Sequence, residues 1–210
     1  SDDLNGYKPE GVARLDSTTK NGKRCSAATA HLRPAIKRKN VELKTNAFIQ
    51  KLIINKKDAV GVEFEQYGEL RKVYTNNSII VSCGAIKSPQ ILMLSGIGPA
   101  DHLKSKDIEL VHNLNGVGKN LQDHLLVASG FECKKDVTIH KMTRIDKKLI
   151  EGLKWILTRK GIVASNIWEM GGLIFGNENR KYPNLQYHFA PAYNEYFGRE
   201  IKLSQGFLLQ

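Results

Sequence analysis

The sequence predicts an α/β fold of the mixed (α+β) kind, and three observations in its 210 residues predict it. Two apolar stretches, 48–54 and 59–66, flank a polar turn at 55–58, as the strands of a β-hairpin do. Residues 78–82 form a short apolar run that is followed by a helix with proline in its first turn. Residues 149–160 have the apolar spacing of an amphipathic helix. With 41% hydrophobic and 25% charged residues, the composition is that of a globular protein.

The first forty residues are predicted to be turns followed by one helix. Asparagine and glycine recur in residues 1–24, which indicates turns. A helix is predicted from Ser26 to Lys39, with Ser26 as its N-cap. Pro34 lies within this range and is expected to kink or break the helix. Val41–Thr45 alternates apolar and polar residues and is predicted to be a half-buried strand.

The next segment is predicted to be mainly strands. Phe48–Ile54 and Ala59–Gln66 form the hairpin, and Leu70–Thr75 is expected to pair as a further strand. Ser78–Ser82 is predicted to be a buried parallel strand. The following helix is predicted to begin at Ser88-Pro89, to run to about Leu94, and to end at a glycine.

A change of domain is predicted near residue 130. Beyond it, Leu149–Lys160 is predicted to be a helix that ends at Gly161, because glycine commonly ends a helix. Trp168–Phe175 and Leu185–Pro191 are predicted to be strands.

The formal charge of +11 has two interpretations. Clustered lysines and arginines neutralise nucleic-acid phosphates. Here the basic residues are scattered over turns and helix faces, and no aromatic residues alternate with them as a stacking platform requires. We therefore expect no nucleic-acid partner. A solvated surface, or attraction to anionic lipid head groups, accounts for the charge.

The number and spacing of the cysteines indicate which cellular compartment and which metal sites to expect. Cys25, Cys83 and Cys133 lie far apart, and such a sparse, odd set indicates neither a disulfide framework nor a zinc site. Reduced thiols favour a cytoplasmic location. No apolar run approaches the roughly 18 residues that a membrane-spanning helix requires.

One segment has the pattern of a cofactor-binding turn. Residues 81–101 read VSCGAIKSPQILMLSGIGPAD, a strand, a Gly-Ala turn, a helix and a second glycine turn. Small residues at such a junction let a ligand approach the backbone, and the N–H groups that begin a helix suit anionic groups. The pattern by itself fits a plain strand–turn–helix joint equally well.

The sequence of this segment closely resembles the second signature motif of the glucose–methanol–choline (GMC) oxidoreductases. Other stretches resemble the same family in the same order: DLNGYKPEG, NGKRCSAATAHL, TNAFIQKLII, AVGVEF and GVGKNLQDH. The likeness is closest to the choline-oxidising members and continues through GIVASNIWEMGGLI and YPNLQYHFAP. It covers nearly the whole chain.

The resemblance implies an FAD-binding fold interrupted by a substrate domain built on an antiparallel sheet. It assigns residues 1–130 to the first domain and 131–210 to the start of the second. It further implies that FAD takes a hydride from an alcohol carbon while a base takes the hydroxyl proton. Choline would give betaine aldehyde, with a quinone or another respiratory-chain acceptor reoxidising the flavin. A cytoplasmic protein, peripheral on the inner face of the cytoplasmic membrane, is the location expected.

The resemblance also implies which residues bind FAD. Ile49 matches a strand position whose backbone meets the adenine. Cys83 and Gly84 occupy the turn beside the cofactor. Asn120 and His124 belong to the segment NLQDH, which matches a segment that passes close to the flavin. For His124 the alternative is an ordinary hydrogen-bonded core histidine.

Four residues are implied to contact the substrate. Trp168 matches an aromatic wall of the cavity, where ring faces hold a quaternary ammonium. Glu169 is the nearest carboxylate, although on a strand it is expected to point to the opposite face. His188 matches a histidine that holds the substrate hydroxyl. Leu126 stands where choline-specific relatives tend to carry a glutamate, which favours either a different mode of choline binding or a neutral alcohol.

Parts of the family pattern are absent. The chain contains no GxGxxG loop, the pyrophosphate cradle of such enzymes, and Gly116-Val117-Gly118 lacks the third glycine. The family's catalytic histidine is expected beyond Gln210. We therefore expect an internal fragment that is inactive and does not retain FAD by itself. The rival interpretations are a GMC dehydrogenase for another primary alcohol and a non-catalytic remnant of the fold.

Overall fold

The computed structural model describes residues 3–177, 179–197 and 200–210. These residues form two compact units. We call Val41–His124 the hairpin unit, and Ser1–Asn40 together with Leu125–Gln210 the sheet unit. The assignment of residues 1–130 and 131–210 to an FAD-binding and a substrate-binding domain stays a prediction.

Short strands and helices alternate along the described ranges. The strands are β1 (Gly11–Arg14), β2 (Thr19–Lys20), β3 (Lys23–Arg24), β4 (Ala47–Asn55), β5 (Asp58–Gln66), β6 (Glu69–Tyr74), β7 (Ile97–Gly98), β8 (His112–Asn113), β9 (Ser129–Glu132), β10 (Met170–Ile174), β11 (Leu185–Ala190), β12 (Tyr193–Phe197), β13 (Glu200–Ser204) and β14 (Gly206–Leu209). The helices are α1 (Arg33–Ile36), α2 (Gly84–Leu94), α3 (Ala100–Lys104) and α4 (Ile145–Thr158). A π-helical turn, Ala28–Leu32, leads into α1, and 3₁₀ turns occur at Ile139–Thr143 and Ile162–Ala164.

The hairpin unit is built on an antiparallel sheet in the order β4-β5-β6, which confirms the predicted hairpin and its third strand. Asn55 pairs with Asp58 across a two-residue turn in which Lys56 has φ +57°. The β5–β6 turn has Tyr67 at φ +56° and Gly68 at φ +80°. Positive φ at both central residues matches the twist of the flanking strands, and this is why such turns suit hairpins.

A row of charges crosses this sheet. Glu63 on β5 is paired with Lys51 on β4 and with Lys72 on β6. Its carboxylate lies 3.9 Å from the Lys51 ammonium and 3.4 Å from that of Lys72, and only 13% of its side chain is exposed. Opposite charges directly across strands stabilise a sheet, so this row supports the register of all three strands.

Helix α2 begins four residues before the predicted start. Its N-cap is Cys83, whose N–H donates to Ser88 Oγ at 3.0 Å. Pro89 therefore lies inside the helix and not in its first turn. The predicted end is confirmed at Gly96, which has φ +81° and would place a Cβ 2.5 Å from the carbonyl oxygen of Glu109. Only glycine fits both this conformation and this space.

Ser95 joins α2 to the sheet. Its buried hydroxyl donates to the Ile91 carbonyl at 2.6 Å and accepts the Leu52 N–H at 2.8 Å. The same segment then runs through β7, which pairs in parallel with β8. Leu103 of α3 is fully buried against this turn, with a methyl carbon 3.7 Å from where a Cβ of Gly98 would lie. Residues 95–98, which read SGIG, therefore pack against neighbouring elements as well as ending the helix.

Two predicted strands are wrong. Val41–Thr45 and Ser78–Ser82 have neither helical nor strand structure. Strands need partners for their backbone hydrogen bonds, and no strand among the described residues pairs with either segment. Ile80, predicted to be buried, is 86% exposed.

The sheet unit contains a five-stranded antiparallel sheet in the order β1-β10-β11-β14-β9. This confirms the antiparallel sheet of the predicted fold class. The predicted strands at Trp168–Phe175 and Leu185–Pro191 are found as the shorter β10 and β11. Phe207 joins neighbouring strands through its ring, which lies 5.1 Å from the ring of Phe131 and 5.6 Å from that of Phe189.

The two predicted helices of the sheet unit are present with different ends. Ser26 Oγ accepts the Thr29 N–H at 3.3 Å, as an N-cap does, before the π-helical turn and α1. Pro34 is the second residue of α1, directly after the π-helical turn, so the predicted irregularity is present as a change of helix type beside the proline. Helix α4 ends at Thr158, and Arg159 follows in the left-handed conformation with φ +58°. Among the described residues, no helix has the length and apolarity to cross a bilayer.

Candidate cofactor and substrate site

A groove of about 690 Å³ in the hairpin unit lies between the start of α2 and the segment 118–122. Its lining is mostly apolar on the α2 side and polar on the other side: Ala85, Ile86, Pro89, Met93, Gly118, Lys119, Asn120, Leu121 and Gln122. The groove therefore joins two segments that are about thirty residues apart, and the sequence predicted a cofactor contact on each of them.

Gly84 stands at the start of α2 beside this groove. It has φ +83°, and no atom lies within 4 Å of the place where a Cβ would be. The positive φ requires glycine or carries strain. The free space next to the backbone is what a flat or anionic group needs in order to approach the first N–H groups of an eleven-residue helix.

Of Cys83 and Asn120, which the resemblance assigns to the cofactor, only Asn120 lines the groove. Cys83 is exposed and is a free thiol. Asn120 lines the groove and has φ +55°, a conformation in which asparagine is several-fold enriched. Gly118 (φ +73°) and Lys119 also line it. From sequence, Gly116-Val117-Gly118 was interpreted only as an incomplete phosphate loop, and Lys119 was missed as a groove residue.

Ile49 and His124, the remaining predicted cofactor residues, also lie outside the lining of this groove. Ile49 is half-buried on β4, opposite Phe64, and a β-bulge follows it at once. Bulges aim backbone groups away from the ladder and are common beside functional sites. His124 is exposed, and its N–H donates to Asp123 Oδ1 at 2.8 Å. The structure thus places Asn120 in the groove, Gly84 next to its lining residue Ala85, and Ile49 and His124 outside it.

The groove fits one part of a dinucleotide cofactor. It provides a glycine cradle, a helix N-terminus and a lysine, which are the groups that bind phosphates and let a ring lie close to backbone. Among the described residues, no group of three or more His, Cys, Asp or Glu is placed to hold a metal ion.

In the sheet unit, Trp168 and His188 are in ring contact. Their ring centroids are 6.1 Å apart and the rings cross at 87°, the edge-to-face arrangement that aromatic pairs prefer. Trp168 precedes β10, whereas His188 lies within β11 and is bonded through its N–H and carbonyl to Gln210. Two of the four predicted substrate residues are therefore neighbours although they are twenty positions apart.

Glu169 lies apart from this pair, as its place in the chain predicted. It lines a separate pocket of about 180 Å³ with Met170 and Phe189. These two residues are a cross-strand pair, and His188 belongs to the next pair, which faces the other side of the sheet. The Glu169 carboxylate lies 3.8 Å from the Arg14 guanidinium, which provides its countercharge.

Leu126 lies in an irregular segment before β9. It is 61% exposed and belongs to no helix or strand. Its neighbour Leu125 is fully exposed. An apolar side chain at this position carries no charge, so it offers no partner to a cationic substrate.

Comparison with known proteins identifies the family. The sequence profile of the GMC oxidoreductases matches residues 1–126. This is the N-terminal, FAD-binding region of that family, so FAD is the cofactor of the proteins to which the chain is similar.

Curated relatives match over nearly the whole chain. A protein of Staphylococcus epidermidis named oxygen-dependent choline dehydrogenase is 42% identical over 208 residues, which cover 98% of this chain and 36% of the relative. A protein of the same name from Vibrio vulnificus is 44% identical over 206 residues, covering 98% of this chain and 37% of the relative. The chain thus spans little more than a third of the relatives it matches.

Solved structures establish the fold. Formate oxidase of Aspergillus oryzae matches with a TM-score of 0.80 at 20% identity, covering 95% of this chain and 39% of the oxidase. Pyridoxine 4-oxidase of Mesorbium loti matches with a TM-score of 0.71 at 20% identity, covering 98% of this chain and 37% of that protein.

Proposed function

We propose, from the premise that this chain belongs to the GMC oxidoreductase family, that the complete protein is an FAD-dependent alcohol dehydrogenase. Its proposed substrate is choline, and its proposed product is betaine aldehyde. The relatives' names and the 42–44% identity support this choice of substrate. The observation that carries it is the ring contact between Trp168 and His188.

The proposed cofactor contacts follow from the groove of the hairpin unit. Gly84 and the first N–H groups of α2 would hold an anionic part of FAD, with the Lys119 ammonium as countercharge. Asn120 offers an amide that donates and accepts hydrogen bonds. Bound FAD supplies a hydride acceptor. Ile49 and His124 remain proposed contacts of other parts of the cofactor.

The proposed substrate contacts use two different kinds of chemistry. The trimethylammonium group of choline has no hydrogen-bond donor, so an aromatic ring such as Trp168 is suited to hold it. His188 is one strand away and has ring nitrogens that either donate to or accept from a hydroxyl. The 6.1 Å between the two ring centroids supports the proposal that one small alcohol contacts both side chains. Glu169 is proposed only as a distant carboxylate, because it faces another pocket.

A primary alcohol other than choline is the second candidate. Leu126 favours it, since a cation site that lacks a countercharge binds its cation more weakly, here by about tenfold. The electron acceptor has two candidates as well. We propose a respiratory-chain quinone, and the relatives' name, oxygen-dependent choline dehydrogenase, favours molecular oxygen.

The deciding experiment uses the full-length protein and its visible spectrum. Under anaerobic conditions we expect a yellow protein that bleaches when choline is added. Colour that returns with a soluble quinone, and not with air, would support the quinone. A yellow protein bleached only by a neutral alcohol would transfer the proposal to the second candidate, and a colourless protein would indicate a non-catalytic remnant.

The proposed location is the cytoplasm, with peripheral attachment to the inner face of the cytoplasmic membrane. Three free thiols and the formal charge of +11 support this proposal. Cell fractionation with and without a high-salt wash tests it, because charge-based attachment is released by salt.

A further inference from the structure

Ile167, the residue directly before Trp168, has a backbone conformation that its own side chain disfavours. Its φ is +74°, in the left-handed region. Among the described residues, it is the one β-branched residue with positive φ. A branched side chain on Cβ makes this conformation a genuine outlier, and such an outlier persists only where surrounding contacts hold it in place.

Hydrogen bonds hold Ile167 on both sides. Its N–H donates to Ser165 Oγ at 2.9 Å, and its carbonyl accepts the Glu169 N–H at 3.1 Å. The Ser165 N–H donates in turn to the Ile162 carbonyl at 3.1 Å, which ties the serine to the preceding 3₁₀ turn. The Glu169 carbonyl accepts the N–H of Leu15, the residue after β1, at 2.8 Å. The strained residue is therefore fixed between two anchored neighbours.

The turn at Ile167 separates the directions of two predicted substrate residues. The Trp168 ring meets the His188 ring edge to face, whereas Glu169 lines the other pocket. Strand β10 begins at Met170, so pairing within that strand does not set the direction of Trp168. The backbone conformation immediately before Trp168 therefore decides where its ring lies.

We infer that Ser165 and Ile167 are positioning residues for Trp168. The Ser165 hydroxyl holds Ile167 in its strained conformation, and that conformation holds the Trp168 ring against His188. The inference rests on the proposed function, in which this ring and His188 bind the alcohol. A ring that is fixed before the substrate arrives loses less side-chain freedom on binding, so the turn should affect substrate binding more than the chemical step.

The test begins with Ser165→Ala in the full-length, FAD-containing protein. Without the acceptor, Ile167 should leave its strained conformation and Trp168 should turn away from His188. We expect KM for choline, or for whichever primary alcohol bleaches the flavin, to rise about tenfold while kcat changes little. Ser165→Thr keeps a hydroxyl acceptor and should behave as the unchanged protein does.

A second substitution should rescue the first. Glycine adopts positive φ without support, so Ile167→Gly added to Ser165→Ala should return KM to within about twofold of its original value. Ile167→Gly alone should leave KM unchanged. The matched control is Ile162→Gly added to Ser165→Ala, which removes an isoleucine side chain from the same pocket without relieving the strain. This control should not restore KM.

Fluorine NMR of protein labelled with fluorotryptophan follows the Trp168 ring without any substrate. The Trp168 resonance, assigned by its loss in Trp168→Phe, should shift in Ser165→Ala and return when Ile167→Gly is added. A resonance that behaves in this way while KM stays constant would support the positioning role and remove Trp168 from the proposed substrate site. A resonance that does not respond to Ser165→Ala, or that Ile167→Gly does not restore, would overturn the inference.

Discussion

Gly84 and Gly68 share a backbone conformation and differ in their surroundings. Gly84 has φ +83° and Gly68 has φ +80°, and neither has an atom within 4 Å of a potential Cβ. Only Gly84 stands beside the groove proposed for FAD. A side chain at either position costs similar backbone strain, roughly 1–2 kcal/mol. Comparing the same substitution at the two positions therefore separates the effect of backbone strain from that of obstructing the groove.

We expect Gly84→Leu to lower the FAD content of the full-length protein, with at least about a tenfold weaker affinity. Gly68→Leu should keep normal flavin content, because its side chain enters solvent at a hairpin turn. The ratio of flavin to protein absorbance after purification measures both. Equal flavin content in the two variants would show that the Gly84 turn is not a cofactor contact.

Leu126 is the residue at which substrate choice is proposed to differ from that of choline-specific relatives. Leu126→Glu would add a carboxylate for a cationic substrate, and we expect kcat/KM for choline to rise about tenfold relative to 3,3-dimethylbutanol, its neutral analogue of similar shape. Leu125→Glu adds the same charge one position away and should leave the ratio unchanged. A ratio that does not respond to Leu126→Glu would remove position 126 from the substrate site.

At the scale of secondary-structure elements, a single long-range hydrogen bond connects α4 to the N-terminal part of the sheet unit. Trp155 Nε1 and the Gly22 carbonyl join residues 133 positions apart. Gly22 itself has φ +65°, and a Cβ there would collide with the Arg159 carbonyl, so the approach requires glycine.

Trp155→Phe keeps an aromatic ring and removes the donor. We expect the free energy of unfolding to fall by about 1–2 kcal/mol, since the Gly22 carbonyl loses a partner in a partly buried place. Denaturant unfolding of the full-length protein measures the change. Tyr7→Phe, at a side chain that is 98% exposed, is the control and should change the stability little. An equal effect of both substitutions would contradict the role of the hydrogen bond.

Elements were predictable where their signals are local. The β4–β5 hairpin follows from two apolar stretches and a two-residue turn, and the end of α2 follows from Gly96. The start of α2 was not predictable, since Pro89 indicated a first turn whereas Ser88 accepts the N–H of Cys83 and allows an earlier start. Proline at a first helical position is a preference, and here α2 begins earlier, at Gly84.

For the whole molecule, cofactor binding is expected to be a large part of stability. A ligand that binds only the folded state stabilises it by about 2.7 kcal/mol at a hundredfold excess over its Kd. Removing FAD from the full-length protein should therefore lower the melting temperature, and returning FAD should raise it with concentration. Riboflavin lacks the pyrophosphate and should stabilise less. A melting temperature that does not change with FAD concentration would contradict the proposed cofactor site.

The fold class, the hairpin, α4 and the family resemblance could be predicted from the sequence, because each depends on residues that are near one another in the chain. The other features depend on contacts between distant residues. Ser78–Ser82 has strand composition and no strand partner, so its pattern produced no strand. Ala85, next to Gly84, shares a groove with Asn120, and Trp168 contacts His188, only because chain folding brings distant residues together. Such contacts depend on which partners are available, and local pattern does not encode that.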